Sequence, residues 1–371
     1  MGKFGKRNEI KLDILKYNLG LIGESGIGKT TIIKEMLEKL AGENGYMFME
    51  CGKEDGADAI SGIVYENVRD WDTFDEIIDD VIENKTTDYP ELRAIAIDTY
   101  DQLLEIAKQE VIRMHNAENP DKRVTSIKAA LGGYMAGEDK ATEIVLDRLW
   151  DLKEVGVSFI IIGHVKQKEQ EDVVTGQKYT SLTTNMSMRD FNSIKTKLHF
   201  LGVASIDREI VQEKTGKKKN GKDVTKGVIA KESRKITFRD DSYSIDSKSR
   251  FADIVPEIPF DVDALIKAME DAIKAEQAKS GKSYEDTKKE QEAADAEKLK
   301  EIAKAEEEKR YAKKLEEQLN SIKDYIKENK SDMSKIKPII EASKKLGYDN
   351  PIQIDKIEAA DAVLKVIATM E

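Results

Sequence analysis

The chain has 371 residues, of which 36% are charged and only 6% aromatic, and its formal net charge is −11 at pH 7. This length allows one large α/β domain with a smaller one, and the acidic balance restricts any nucleic-acid contact to local basic patches. A single cysteine, Cys51, excludes a disulfide framework and a cysteine-rich zinc site. No apolar run approaches the ~20 residues that span a membrane, and the N-terminus lacks a signal-peptide pattern. We therefore expect a cytoplasmic protein with no membrane contact.

A glycine-rich segment near the N-terminus, between a predicted strand and a predicted helix, fits the pattern G-x-x-x-x-G-K-[ST] at every fixed position. It consists of Gly23, Glu24, Ser25, Gly26, Ile27, Gly28, Lys29 and Thr30. In such a loop the backbone N–H groups surround a β-phosphate, and the helix dipole adds partial positive charge. Lys29 would contact the β- and γ-phosphates, and the Thr30 hydroxyl would hold Mg²⁺. We therefore predict that this segment binds ATP together with the next residue, Thr31.

Two further strands are predicted in the first hundred residues, and both end in a carboxylate. The earlier one ends at Glu50, and a loop with another acid, Glu54, follows it. The later one, residues 93–98, is an apolar run that closes on Asp98. This is the form of a Walker B strand, whose carboxylate holds Mg²⁺ directly or through water. Together with the glycine-rich segment, it predicts a magnesium site formed by Thr30 and Asp98.

The middle of the chain is predicted to continue an α/β core with a mostly parallel central sheet. Residues 156–163 are its most apolar strand, as expected for a central parallel strand. The strand ends at His164, which could contact the γ-phosphate or the attacking water and report hydrolysis, or could simply hydrogen-bond the next loop. Residues 166–187 are polar without periodicity and are predicted to form a long loop.

A region of β-hairpins is predicted to close the core. Residues 208–212 and 227–230 flank a turn that is rich in lysine. Its lysines are Lys214, Lys217, Lys218, Lys219 and Lys222. A second hairpin is predicted from residues 234–239 and 242–245, and a short basic segment with Lys248 and Arg250 follows.

The remainder of the chain changes character at about residue 263. We predict three parts: an ATP-binding core over 1–262, a charged helical linker or coiled coil over 263–330, and a small all-α module over 331–371. A short heptad-like stripe lies in the charged segment. It is formed by Leu315, Leu319, Ile322 and Ile326. These residues could form a coiled-coil dimer or pack on the module that follows.

Together, these motifs resemble the RecA-like P-loop ATPases of phages known as phage nucleotide-binding proteins, a group that includes the Sak-type single-strand annealing proteins. The resemblance covers about residues 10–260 and rests on the glycine-rich segment and several short motifs. These motifs are Trp71-Asp72, Ile97-Asp98-Thr99, Leu131-Gly132-Gly133-Tyr134, Ile162-Gly163-His164-Val165-Lys166 and the segment from Asp246 to Phe251.

The resemblance implies ATP binding, slow Mg²⁺-dependent hydrolysis, homo-oligomers with ATP at subunit interfaces, and single-stranded DNA as the ligand. No glutamate follows Asp98, so the general base is expected at the end of the second core strand, as Glu50 or Glu54. Lys248 and Arg250 are candidates to enter a neighbour's ATP site and stabilise charge on the γ-phosphate. An ordinary exposed strand end is the alternative for both.

The expected DNA surface comprises the loop after His164 and the lysine-rich turn. Its candidate contacts are Lys166, Lys168, Lys217, Lys218 and Lys219. Lysines bind phosphates without reading sequence, so binding should be unspecific and sensitive to salt. The loop offers only Tyr179 and Phe191 for base stacking, and a lysine-rich turn is also typical of a solvated hairpin tip.

Three other functions compete with this interpretation. A helicase loader or other AAA+-type remodeller is disfavoured because Thr99, and not a glutamate, follows Asp98. A nucleotide-dependent regulatory or scaffold protein, with a protein partner on the C-terminal helices, is favoured by the acidic charge. A small-molecule kinase would need a lid and an acceptor pocket, and neither is legible in the sequence.

Overall fold

The computed structural model describes residues 8–53, 56–171, 176, 178–219, 222–240, 245 and 247–370. The chain divides after Asp295 into two compact units. The predicted core ends at residue 262, whereas the first unit continues past that position to Asp295. Among the described residues, no helix is both long enough and apolar enough to cross a membrane.

A sheet of ten strands organises the first unit. The strands are β1 (Leu19–Gly23), β2 (Tyr46–Cys51), β3 (Tyr65–Val68), β4 (Ala94–Asp98), β5 (Ser158–Glu171), β6 (Lys178–Thr184), β7 (Phe200–Lys219), β8 (Lys222–Thr237), β9 (Lys248–Ser249) and β10 (Glu257–Pro259). Their order is β10-β8-β7-β1-β5-β4-β2-β3, with β6 beside β5 and β9 beside β7. The strands from β7 to β3 in this order are parallel, so their carboxyl ends share one edge. The predicted α/β class, with a mainly parallel sheet and a late β-hairpin, is confirmed.

Helices cover both faces of this sheet. They are α1 (Lys29–Ala41), α2 (Trp71–Glu83), α3 (Tyr100–Glu118), α4 (Ala136–Glu154), α5 (Met188–Lys195) and α6 (Val262–Ala278), with 3-10 turns at Ile14–Lys16, Ala57–Ala59 and Ile127–Gly132. Helices α1 and α6 form one core with side chains such as Ile162. Helices α2 to α5 form the other core with side chains such as Ile161. Strand β5 is apolar at successive positions because both of its faces are buried.

The predicted loop over residues 166–187 is wrong. Strand β5 continues beyond His164 and pairs with β6 as an antiparallel hairpin. Residues 178–184 are rich in β-branched and aromatic side chains, which favour strands. Thr183 and Thr184 are buried, so polar side chains concealed the strand from a search based on apolar periodicity.

The second predicted hairpin lies only partly within the described residues. Residues 234–237 belong to β8, whose two edges pair with β7 and β10. Of the second arm, residues 242–245, only Ile245 lies among the described residues, and it bridges to Leu182. The lysine-rich turn does join the two long strands β7 and β8, since Lys219 pairs with Lys222.

Helix α6 belongs to the first unit because one of its faces is apolar. Leu265, Met269 and Ile273 are buried in the core that α1 also forms. Asp261 accepts a hydrogen bond from the backbone N–H of Ala264 and caps the helix. The high charge density that suggested a linker from residue 263 resides on the other face of this helix.

A single long helix leads from the first unit into the second. The elements of this region are α7 (Tyr284–Glu328), α8 (Met333–Lys345), a 3-10 turn at Pro351–Gln353 and α9 (Ile357–Ala368). The apolar stripe of α7 packs on the small module, where Ile322 is fully buried beside Ile339 and Val363. The C-terminal region is therefore helical, as predicted, and the structure gives it an apolar core of its own.

Leu265→Ala should lower the free energy of unfolding of the first unit by about 2–5 kcal/mol, because it leaves a cavity in the α1–α6 core. Lys267→Ala in the same helix is the control, since an exposed side chain contributes about 0.5 kcal/mol or less. Both tryptophans of the chain, Trp71 and Trp150, lie in this unit, so urea unfolding followed by tryptophan fluorescence measures it. Equal stability of the two variants would contradict the assignment of α6 to the core.

Candidate functional site

The glycine-rich segment lies at the carboxyl edge of the sheet, between β1 and the start of α1. A methyl group on Gly23 would lie 2.8 Å from the carbonyl oxygen of Ala204 in β7, so only glycine fits there. Gly28 has φ of 103°, in the left-handed region, and precedes the first helical residue. The first N–H groups of α1 have no partner within the helix and can bind an anion.

Lys29 and Thr30 begin α1 and connect the loop to β4. Lys29 is 6% exposed, and its Nζ donates to the carbonyl oxygens of Gly23 at 3.2 Å and Glu24 at 3.1 Å. The Thr30 Oγ1 donates to Asp98 Oδ2 at 2.6 Å. A hydroxyl and a carboxylate so close together suit Mg²⁺, which takes few protein ligands and completes its shell with phosphate oxygens and water. The residues present therefore fit a nucleotide with its magnesium ion.

Glu50 lies beside Asp98 at the ends of neighbouring parallel strands, where the two residues are in register. Residues in register on parallel strands point to the same face, and the Thr30 contact shows that this is the face covered by α1. Glu50 is 4% exposed, and its Oε1 accepts a hydrogen bond from the Ala57 N–H at 2.9 Å. Its carboxylate is held beside Asp98, whereas Glu54 lies outside the described residues.

His164 lies on β5 in register with Gly23. Its Nδ1 is 3.6 Å from Asp101 Oδ2, which also accepts a hydrogen bond from Asn185 Nδ2 at 3.3 Å. Burial alone would raise the pKa of Asp101, but the contacts with His164 and Asn185 outweigh it and lower that pKa. Lys166 donates to the carbonyl oxygen of Asn185 at 2.7 Å. These contacts connect the strand end beside the loop to both arms of the β5–β6 hairpin.

The profile of a protein family described as an AAA domain matches residues 15–251, which include the glycine-rich segment and Asp98. The chain belongs to this AAA-domain family. Its members are P-loop ATPases, and the family therefore implies nucleotide binding, usually with Mg²⁺. No curated protein matches the sequence. Among solved structures, a KaiC-like protein of the archaeon Pyrococcus horikoshii is similar at 15% identity over 66% of this chain and 86% of that one, with a TM-score of 0.34.

Lys248 and Arg250 are not near the phosphate-binding loop of their own AAA domain. Strand β9 pairs with the first residues of β7, at the opposite end of the parallel strands from the loop. Lys248 Nζ donates to the carbonyl oxygen of Lys195 at 2.7 Å, and Arg250 donates to that of Thr196. Burial and the charges of Arg250 and Lys195 lower the pKa of Lys248. Any contact of this basic cluster with a nucleotide would be with that of another copy.

The lysines that are predicted to contact DNA lie on two hairpins of the AAA domain. Lys166 and Lys168 are exposed on β5. Lys217, Lys218 and Lys219 end strand β7, where the structure describes the backbone. The fold therefore places the two groups on separate hairpins.

Sequence reasoning missed an exposed aromatic residue, because it counted aromatic residues only after His164. The side chain of Tyr134 is completely exposed. It lies in the run Leu131–Met135, in which every residue has a positive φ. This conformation is strained for residues other than glycine, and such strain concentrates at functional sites. The Leu-Gly-Gly-Tyr motif was the signal that could have identified it.

Two more residues reach the loop without belonging to any sequence motif. Arg234 of β8 donates from Nη1 to the carbonyl oxygen of Ile27 at 3.2 Å. A methyl group on Gly28 would lie 3.5 Å from Cε1 of Phe260, which follows β10. Only the antiparallel pairing of β7, β8 and β10 places them there, and no local pattern could have shown it.

His199 lies beside the basic cluster and should titrate far below ordinary histidines. Its Nδ1 accepts a hydrogen bond from the Asn18 N–H at 3.0 Å. Burial, and then the charges of Arg250, Lys153 and Lys248, lower its pKa from 6.5 to about 4. We expect an NMR titration of the imidazole to have its midpoint near that value, with His199→Asn identifying the signal among the three histidines.

The sign of the linked stability follows from this shift. The unfolded chain binds the proton near pH 6.5 and the folded chain only near 4, so the contribution of His199 is present above pH 6.5 and is lost as the pH falls toward 4. A titration midpoint near 6.5 would show that the ring is solvated and distant from the cations.

Proposed function

We propose that this protein is an ATP-dependent single-stranded DNA binding protein of phage recombination or replication, acting by annealing or in a recombinase-like way. The observation that carries the nucleotide part is the 2.6 Å contact between Thr30 and Asp98, which joins the phosphate-binding loop to the magnesium ligand in a chain of the AAA-domain family. Slow ATP hydrolysis to ADP and phosphate is the reaction that these residues support.

Each residue of the site has a part in this hydrolysis. Lys29 exchanges its two backbone carbonyl partners for phosphate oxygens and neutralises part of their charge. Mg²⁺, held by Thr30 and Asp98, supplies further charge stabilisation when bound. Glu50 is the better-supported general base, because it lies beside Asp98 and the Ala57 N–H fixes one of its oxygens.

The DNA part of the proposal is supported by basic and aromatic side chains that face solvent. Lys166 and Lys168 lie on the hairpin that His164 and Asn185 connect to the loop. Tyr134 supplies a stacking surface, and base–aromatic stacking is worth about 1–3 kcal/mol per base. The exposed cations that precede it in the chain are Lys122, Arg123 and Lys128. The combination of cations and an aromatic platform suits single strands without sequence preference.

Assembly into a homo-oligomer would complete the nucleotide site. Lys248 and Arg250 lie at the end of the parallel strands opposite to the loop, so a head-to-tail arrangement could bring them to the γ-phosphate of a neighbour. Among the described residues their polar partners are backbone carbonyls, so their charges stay available for phosphate.

A regulatory or scaffold ATPase is the second candidate function. Residues 296–371 form a compact unit of their own with a separate apolar core, which suits a partner-binding module. A helicase loader would use the same unit, but the absence of a glutamate after Asp98 still disfavours it.

Lys29→Ala should abolish ATP binding and hydrolysis while leaving the fold intact, because the chain loses the cation that contacts two phosphates. Lys34→Ala is the matched control: the same change on α1, at a residue that pairs with Glu38.

Glu50→Gln should keep ATP binding and reduce the hydrolysis rate about 10²–10⁴-fold, as expected for a general base. ATPase and ATP-binding assays check all three, and wild-type hydrolysis by Lys29→Ala would refute the site.

Single-stranded DNA should stimulate the ATPase at low salt, and the stimulation should fade as salt rises. Tyr134→Ala should weaken DNA binding with little change in salt dependence, whereas neutralising Lys217, Lys218 and Lys219 together should flatten that dependence. Fluorescence anisotropy with labelled oligonucleotides measures both. A wild-type protein that binds ATP but shows no DNA effect at low salt would favour the regulatory function.

A further inference from the structure

We propose that Phe260 and Arg234 form the subsite for the nucleoside and the α-phosphate of the nucleotide. Phe260 stacks on a purine base, and Arg234 contacts the α-phosphate. This inference rests on the proposed ATP-binding function and deepens it. It assigns two residues that no sequence motif includes, and it predicts which part of the ligand each one recognises.

The strand order fixes the direction in which the nucleotide must lie. The magnesium ligands Thr30 and Asp98 mark the γ-phosphate end, on the side of β1 where β5 and β4 lie. Lys29 binds the β- and γ-phosphates over the loop itself. The α-phosphate and the nucleoside therefore leave the loop on its other side, where β7, β8 and β10 lie.

Phe260 stands on that other side, at the N-terminus of α1. Its ring edge is within van der Waals distance of a methyl group built on Gly28, at 3.5 Å from Cε1. The ring is only partly buried and packs on the edge of the α1–α6 core, so part of it remains accessible. An accessible aromatic ring beside a phosphate-binding loop is suited to stacking on a base.

The backbone around Phe260 is held firmly. Its N–H donates to the carbonyl oxygen of Arg234 at 3.0 Å, and the preceding Pro259 is in register with Lys235 of β8. The next residue, Asp261, caps α6. Because strand and helix fix both of its neighbours, the ring is preorganised, and little conformational entropy is lost when a base binds.

Arg234 presents a positive charge to the same space. Its Nη1 donates to the neutral carbonyl oxygen of Ile27 at 3.2 Å, and no carboxylate pairs with it in the described part of the chain. The adjacent cation on β7, Arg208, differs, since it lies 3.3 Å from Glu232 and 4.0 Å from Glu24. A guanidinium without an acidic partner at the edge of the loop matches a phosphate oxygen.

The two residues make separable predictions with two ligands, MgATP and magnesium tripolyphosphate, which carries the phosphates without a nucleoside. Phe260→Ala should weaken MgATP binding about tenfold or more and leave tripolyphosphate binding unchanged, because only the stacking partner is lost. Arg234→Gln should weaken both ligands about tenfold, because it removes a cation from the phosphates.

Three further variants protect this test against trivial explanations. Phe260→Leu keeps an apolar side chain against Gly28 and tests for a folding defect; it should bind ATP as weakly as Phe260→Ala. Phe260→Trp should restore tight binding, since it keeps a flat ring. Tyr284→Ala, which removes an exposed aromatic ring at the start of α7, should bind ATP as the wild type does.

Isothermal titration calorimetry with the full-length chain gives each dissociation constant. Unchanged ATP affinity in Phe260→Leu, or an equal loss of both ligands in Phe260→Ala, would overturn the stacking role. Unchanged affinity in Arg234→Gln would overturn the phosphate contact. A folded wild-type protein that binds neither ligand would refute the proposed function itself, and the subsite with it.

Discussion

The parallel register of the central strands is the constraint on which the rest of the site depends. Because the parallel segments of β7, β1, β5, β4 and β2 all end at one edge, residues far apart in the chain become neighbours. Glu50 and Asp98 are in register, and so are Gly23 and His164. A shift of one residue in either pairing would move the affected side chain to the other face of the sheet. The chemistry of the site is therefore set by the buried apolar runs that fix the register.

Those runs are also what made much of the fold predictable. Strands that are buried on both faces, such as β5, can be recognised in the sequence as unbroken runs of apolar residues. The phosphate-binding loop was predictable because glycine is required at fixed positions in it. One example is Gly23, where β7 approaches too closely for any side chain. The carboxylates at the ends of β2 and β4 followed from the same reasoning. In each case the signal lay within a few consecutive residues.

Where the sequence misled, the deciding information was not local. Strand β6 buries threonines, so periodicity could not distinguish it from a loop. Helix α6 has one apolar face within a charged segment. The role of that face becomes clear only from its packing with α1 in the folded protein. Arg234 and Phe260 reach the loop through the pairing of β8 with β10. None of these is a property of a short stretch of sequence.

A nucleotide bound in the proposed orientation would contact both hairpins where they leave the central sheet. Its γ-phosphate would lie near His164, whose contacts with Asp101 and Asn185 lead into the β5–β6 hairpin. Its α-phosphate would lie against Arg234 of β8, the second strand of the lysine-rich β7–β8 hairpin. Hydrolysis changes only the first of these contacts, whereas release of the nucleotide removes both. One ligand could therefore act on the two hairpins that we propose to bind DNA, first on hydrolysis and then on release.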